Sequence, residues 1–223
     1  MQSLQSYMDH HFKELTLAPA LFYSWTPAIR YEISDPTFSL NEPVMTQLKQ
    51  AFHRSITLFD EVFRGTDEIM LITDVHTTLS NSYLRKRPLN VYLKYVKQHD
   101  DLSRLRHEVI PDPFEEEEEQ RVNHRFSLLC KKGDIRYQQL LQAICYEDFA
   151  HSSTILKSNP SSGVEVYFIN VTRNMIYHLY DDRGCDILAA DKNDIRFLYE
   201  TYNDWILDYD RNVIDETFHD KDR

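Results

Sequence analysis

Only four glycines interrupt a chain of 223 residues, and each falls where a segment of structure has to begin or end. Gly65 follows Phe63-Arg64 at the close of a helical pattern, where a left-handed residue is expected. Gly133 precedes Asp134, a good N-cap for a following helix. Gly163 opens an extended run, and Gly184 ends the turn Asp181-Asp182-Arg183-Gly184, where it is expected to supply a positive φ. With all four glycines so occupied, neither GxGxxG nor GxxxxGK[ST] can be assembled. The glycine-dependent ways of cradling a nucleotide phosphate are excluded.

Between these punctuation marks the apolar pattern alternates in type. Met45, Leu48, Phe52, Ile56, Phe59 and Phe63 recur at helical spacing after Asn41. A second stripe after Asp134 runs through Ile135, Leu141, Ile144, Cys145 and Phe149. A third follows Asp191, with Asp194 placed like a capping-box partner, and runs Ile195, Leu198, Tyr199, Tyr202, Trp205, Ile206, Tyr209. Strands are expected at 29–34, 68–75, 125–130, 164–171, 175–180 and 185–190. Residues 89–109 read as two short helices broken near His99-Asp100. Interspersed strands and helices predict an α+β or α/β fold, a mixed sheet with helices packed on it. A faint echo adds to this. Arg30-Tyr31-Glu32-Ile33 and Arg125-Phe126-Ser127-Leu128 each precede a helix and then a strand 39 residues on, as two β-α-β halves would.

Pro111-Asp112-Pro113-Phe114 and the glutamates 115–119 disfavour helix and repel one another. They read as a linker over 111–120, between an N-terminal α/β half (1–110) and a C-terminal α+β half (121–223) packed as one unit. The charge divides there too. The whole chain carries −11, of which residues 1–110 hold −1 and residues 111–223 hold −10. Such acidity disfavours non-specific binding to nucleic acid or an anionic membrane. One strip opposes it: residues 85–106 are net +5, with Tyr92 and Tyr95 interleaved. The polar start of the chain does not resemble a signal peptide, and no run reaches the roughly 18 to 20 apolar residues of a membrane span. Cys130, Cys145 and Cys185 sit in apolar runs without CxxC spacing. Reduced, buried thiols and a cytoplasmic protein are expected.

Several motifs then fall into a known pattern. They are Leu21-Phe22-Tyr23-Ser24-Trp25, Ile29-Arg30-Tyr31-Glu32, Asp134-Ile135-Arg136-Tyr137, Val166-Tyr167-Phe168-Ile169-Asn170 and Tyr180-Asp181-Asp182-Arg183-Gly184 with Asp186. The C-terminal block is the most specific: Leu198-Tyr199, Tyr202-Asn203-Asp204-Trp205-Ile206 and Asp208-Tyr209-Asp210-Arg211. Together they resemble the bacterial family catalogued as Domain of Unknown Function 3885, over roughly residues 20–211. The resemblance implies a bacterial cytoplasmic protein and no particular activity.

Two constellations remain. If 175–180 and 185–190 form a hairpin, Asp181, Asp182 and Asp186 crowd its tip with Arg183. Carboxylate oxygens so placed suit a hard cation, although turn chemistry alone explains Asp and Gly there. On the last helix, Asp204, Asp208 and Arg211 share a face at spacings of four and three, with Asp210 beside them. Histidines are scattered without ligand spacing, so no zinc and no other cofactor are expected. His178 reads as a hydrogen-bonded strand histidine. The combination predicts a non-enzymatic module that binds a basic protein, such as an immunity protein facing a toxin or nuclease domain, through Asp181, Asp182, Arg183, Asp186, Asp204, Asp208, Asp210 and Arg211. The alternative is a metal-dependent enzyme acting on phosphate esters through Asp181, Asp182 and Asp186, with Arg183 as clamp.

Overall fold

The computed structural model describes residues 3–34, 44–78, 90–112, 121–149, 155 and 162–219. Seven extended runs share one sheet: β1 (Ala28–Glu32), β2 (Glu68–Thr78), β3 (Arg106–Pro111), β4 (Arg121–Lys131), β5 (Gly163–Asn170), β6 (Met175–Leu179) and β7 (Gly184–Ala189). Their order is β1-β7-β6-β5-β2-β4-β3, and every adjacent pair is antiparallel. The α+β class holds, and the sheet is antiparallel throughout rather than mixed. Short connections impose that reversal from β5 to β7, because a parallel return needs a long crossover. β1 and β2 run the same way with three strands between them, whereas β4 and β5 have only β2 between them. The two echoed segments therefore do not build equivalent β-α-β halves. Strands from before and after residue 112 interleave across the sheet.

Among the described residues six α-helices accompany the sheet: α1 (Leu4–His11), α2 (Val44–Val62), α3 (Asn90–Tyr95), α4 (Tyr137–Cys145), α5 (Lys192–Thr201) and α6 (Arg211–Phe218). The first two expected stripes are α2 and α4. The third stops at Thr201, passes through single 3-10 turns at 203–205 and 208–210, and resumes as α6. Arg211 stabilises the break: its guanidinium donates to the backbone carbonyls of Asn203 and Ile206 at 3.0 and 3.3 Å. The 89–109 segment supplies two short helical pieces, α3 and a 3-10 turn at 99–104, but then an unexpected strand, β3. The region read as a linker begins inside β3 at Pro111, and residues 113–120 lie outside the described residues.

The two sheet faces differ sharply. Alternate residues of one face are apolar and take the helices. Phe59 of α2 meets Phe168 and Tyr177 edge-on at 5.0 and 5.4 Å, and Tyr177 donates to the Ser55 carbonyl at 2.9 Å. Each such ring, fully buried, contributes about 1.5 to 3 kcal/mol. Tyr92 and Tyr95 are buried on this side as well, with the Tyr92 hydroxyl donating to the Phe126 carbonyl at 3.0 Å. They belong to the core and offer no stacking surface to a nucleobase.

The other face carries two polar cross-strand rows. Arg30, Asp186, His178 and Tyr167 stand opposite one another in turn. Two residues along, so on the same face, come Glu165, Asp74, Arg125 and Glu108. The N-terminal segment crosses this face. Tyr7 donates to Asn174 Oδ1 at 3.0 Å, Arg125 reaches the Leu17 carbonyl at 3.3 Å, and Phe22 N–H donates to Asp186 at 3.0 Å. Trp25 Nε1 ends the crossing on the Ala189 carbonyl at 2.7 Å. Among the described residues no helix is long and apolar enough to cross a membrane.

Candidate functional site

The motifs that are far apart in sequence meet at the β1–β7 end of the polar face. Arg30 is their centre. It points from β1 toward β7, and Asp186 stands directly opposite in the ladder. The guanidinium grips that carboxylate with two parallel bonds, Nε to Oδ1 at 2.7 Å and Nη2 to Oδ2 at 2.8 Å. Both side chains are buried, so the pair is held by geometry that leaves no lone charge. Asp210, brought in by the 208–210 turn, lies 3.9 Å from Nη1. Phe22, Tyr23 and Tyr180 present ring faces to the same cation, at 5.2, 4.6 and 5.7 Å from their centroids. Burial works against the charge of Arg30, but the Asp186 carboxylate outweighs it and holds the guanidinium above its ordinary pKa. Burial, then Asp186, pushes the Tyr180 hydroxyl up.

A second Arg–Asp fork repeats the chemistry. Arg125 binds Asp74 across β4 and β2 with Nε to Oδ1 at 2.8 Å and Nη2 to Oδ2 at 2.6 Å. Arg30 and Arg125 are the leading residues of the two echoed segments. The echo therefore marks a shared chemistry where it does not mark a repeated topology. Between the forks His178 Nε2 lies 2.7 Å from Glu165 Oε2. The hydroxyls of Tyr31 and Tyr167 and the Nδ1 of His178 are buried with no hydrogen-bond partner among the described residues.

The predicted residues divide into buried and exposed sets. Asp186 and Asp210 converge on Arg30. Asp181 does not join them: it accepts from Arg183, through the backbone N–H and Nε at 2.7 Å each and also through Nη2. Arg183 is otherwise exposed and lies 3.5 Å from Asp148, in the turn that follows α4. Asp182 is buried and accepts from Gln47 of α2 at 3.0 Å. Burial, reinforced by Asp181, raises the pKa of Asp182. Asp181, Asp182 and Asp186 thus point to three different partners. Among the described residues no three His, Cys, Asp or Glu side chains come together in a way that can hold a metal ion.

Asp204, Asp208 and Arg211 do not share a helix, because the helix breaks before them. Asp208 is nonetheless held by Arg211 at 3.1 Å, and its side chain is 94% exposed. Asp204 is exposed too. The rim that results also carries Tyr209, 86% exposed, and Tyr23, 61% exposed. Tyr23 donates to both Asp210 oxygens at 3.1 and 3.2 Å, which fixes its ring above Arg30. Sequence reasoning missed Arg30 and Tyr23 as site residues. The signal was present in the motifs 21–25 and 29–32, but nothing local says that they face Asp186 and Asp210.

An antiparallel α+β sheet whose separated motifs close on a buried Arg–Asp centre beneath an acidic, tyrosine-bearing rim defines the class. The chain belongs to the family described as Domain of unknown function (DUF3885), matched over residues 4–210. It is 30% identical over 217 residues to the uncharacterized protein YnaE of Bacillus subtilis (strain 168), spanning 93% of this chain and 98% of that one. No solved structure matches it.

Proposed function

We propose that the chain is an acidic, non-enzymatic protein-binding module of the bacterial cytoplasm, and that it neutralises a basic partner such as a toxin or nuclease domain. The observation that carries this reading is the rim around Arg30. Buried Asp210, beside the fork, positions Tyr23, and the 203–210 segment sets Asp204, Asp208 and Tyr209 in solvent beside it. A tyrosine held by its hydroxyl, as Tyr23 is by Asp210, anchors an interface at low entropic cost, and surrounding carboxylates steer a cationic partner. Residues 181–223 carry net −7, so the long-range field points the same way.

The test is binding to the basic product of a neighbouring reading frame, followed by calorimetry and by rescue of growth. The association rate is expected to fall about tenfold in the Asp204→Lys/Asp208→Lys variant at low salt, and Tyr209→Ala to raise Kd about tenfold or more. A neighbouring product that is neither toxic nor bound by the chain would sink the proposal.

A further inference from the structure

The two edges of the sheet are treated differently. On the β1 edge, Tyr31 bridges to Ile206, and Leu207 N–H donates to the Arg30 carbonyl at 3.0 Å, so the open ladder is covered. On the other edge, among the described residues, β3 pairs only with β4. Arg106, His107, Glu108 and Val109 are all exposed, Val109 at 54%, and no outward backbone bond is made among the described residues. An uncovered edge strand is a template for another strand.

We propose that β3 is the interface between two copies of this chain, paired antiparallel about His107, so that two seven-stranded sheets become one. The argument is charge complementarity. In that register Arg106 of each copy stands opposite Glu108 of the other, twice over by symmetry. On the same face Glu108 already stands opposite Arg125, and Arg125 grips Asp74. Pairing therefore extends one row of alternating sign: Asp74, Arg125, Glu108 and the Arg106 of the second copy. Neighbouring registers fail this test. Centring on Glu108 sets two glutamates face to face, and a shift of half a step turns the polar face of one copy onto the apolar face of the other. On the apolar side Val109 would meet Leu105 of the second copy. His107 sits on the axis with its ring fixed against Phe126 at 4.4 Å and bonded to His124 at 2.9 Å. A five-residue edge buries less than a standard interface, so the dimer is expected in the range of about 10 to 100 µM.

Sedimentation equilibrium of the full chain near physiological salt tests this, since screening there limits the mutual repulsion of two −11 copies. Arg106→Glu and Glu108→Arg should each weaken dimerisation about tenfold, and an equimolar mixture of the two variants should regain it, because each then meets its opposite charge. The mixture uses the same two folded proteins as the single measurements, so a folding defect cannot imitate the rescue. His107→Cys should form an interchain disulfide on mild oxidation, because the three native thiols are buried. A monomer at every concentration, a dimer indifferent to both reversals, or a mixture no tighter than its components would overturn the proposal.

Discussion

Asp186 is fully buried and receives three hydrogen bonds, two from Arg30 and one from Phe22 N–H. Asp186→Ala would strand the guanidinium in a dry site, and we expect a loss of about 3 to 5 kcal/mol in urea unfolding. Arg30→Met/Asp186→Asn removes both charges while keeping an acceptor for Phe22, so it should recover at least half of that loss. Asp182 acts in the opposite sense. Its pKa is raised by burial, so the folded state holds its proton more tightly than the unfolded state does. Its charge therefore costs stability above the raised pKa, and the cost fades as pH falls toward the ordinary value of 3.8. Asp182→Asn, which still accepts from Gln47, should be more stable than the parent at pH 7 and no more stable near pH 3. Urea midpoints measured across that range decide it. Gly184 corrects an expectation about conformation. No described glycine has a positive φ. Gly184 is needed for space, because a Cβ there would collide with the Tyr180 hydroxyl and meet the Tyr31 carbonyl oxygen at 2.8 Å.

At the scale of elements, what was legible in the sequence is what repeats along a few residues. The five strands with continuous apolar runs, and β1 with its Ile29 and Tyr31, are found within a few residues of their expected ends, since burial on one face imposes composition on the chain. β3 was not legible because it is an edge. Arg106, His107, Glu108 and Val109 are all exposed, so no hydrophobic alternation marks it. The end of α5 misled for a different reason. Tyr202, Trp205, Ile206 and Tyr209 keep helical spacing, but Ile206 is extended and bridges to Tyr31. Tertiary pairing overrides the local period there. The same non-locality hid half of the site: Asp186 and Asp210 were visible as acids, while their convergence on Arg30 depends on β1 pairing with β7. Leu207 allows the edge cover to be isolated. Its φ of −60° and the extended Ile206 before it both suit proline, so Leu207→Pro should remove little except the bond to the Arg30 carbonyl. We expect a cost of about 1 kcal/mol and faster amide hydrogen exchange along β1.

For the whole molecule, strand order decides what can fold alone. β1, β2 and β3 all lie before residue 112, and no two of them are neighbours in the sheet. Among the described residues β1 bonds to β7 through five register positions, β2 to β5 through eight and to β4 through eleven, and β3 only to β4. Among its described residues a 1–112 fragment therefore contains three strands and not one strand pair, so α2 has no sheet face to pack on. The fragment 121–223 retains β5-β6-β7 but loses β1 and the N-terminal segment that covers Arg125 and Asp186. The charge asymmetry follows a sequence boundary that the fold does not respect. Strands of both halves share one sheet, and β4, from the −10 half, itself carries Arg121, Arg125 and Lys131 and no acid. Cutting within 113–120 should yield a 1–112 fragment without a cooperative unfolding transition. Mixing it with 121–223 should restore one transition, seen alike by far-ultraviolet circular dichroism and by tyrosine and tryptophan fluorescence. A cooperative transition in 1–112 alone would mean that the strands can pair otherwise than β1-β7, β2-β5 and β3-β4, and the placement of Arg30 against Asp186 would fall with them.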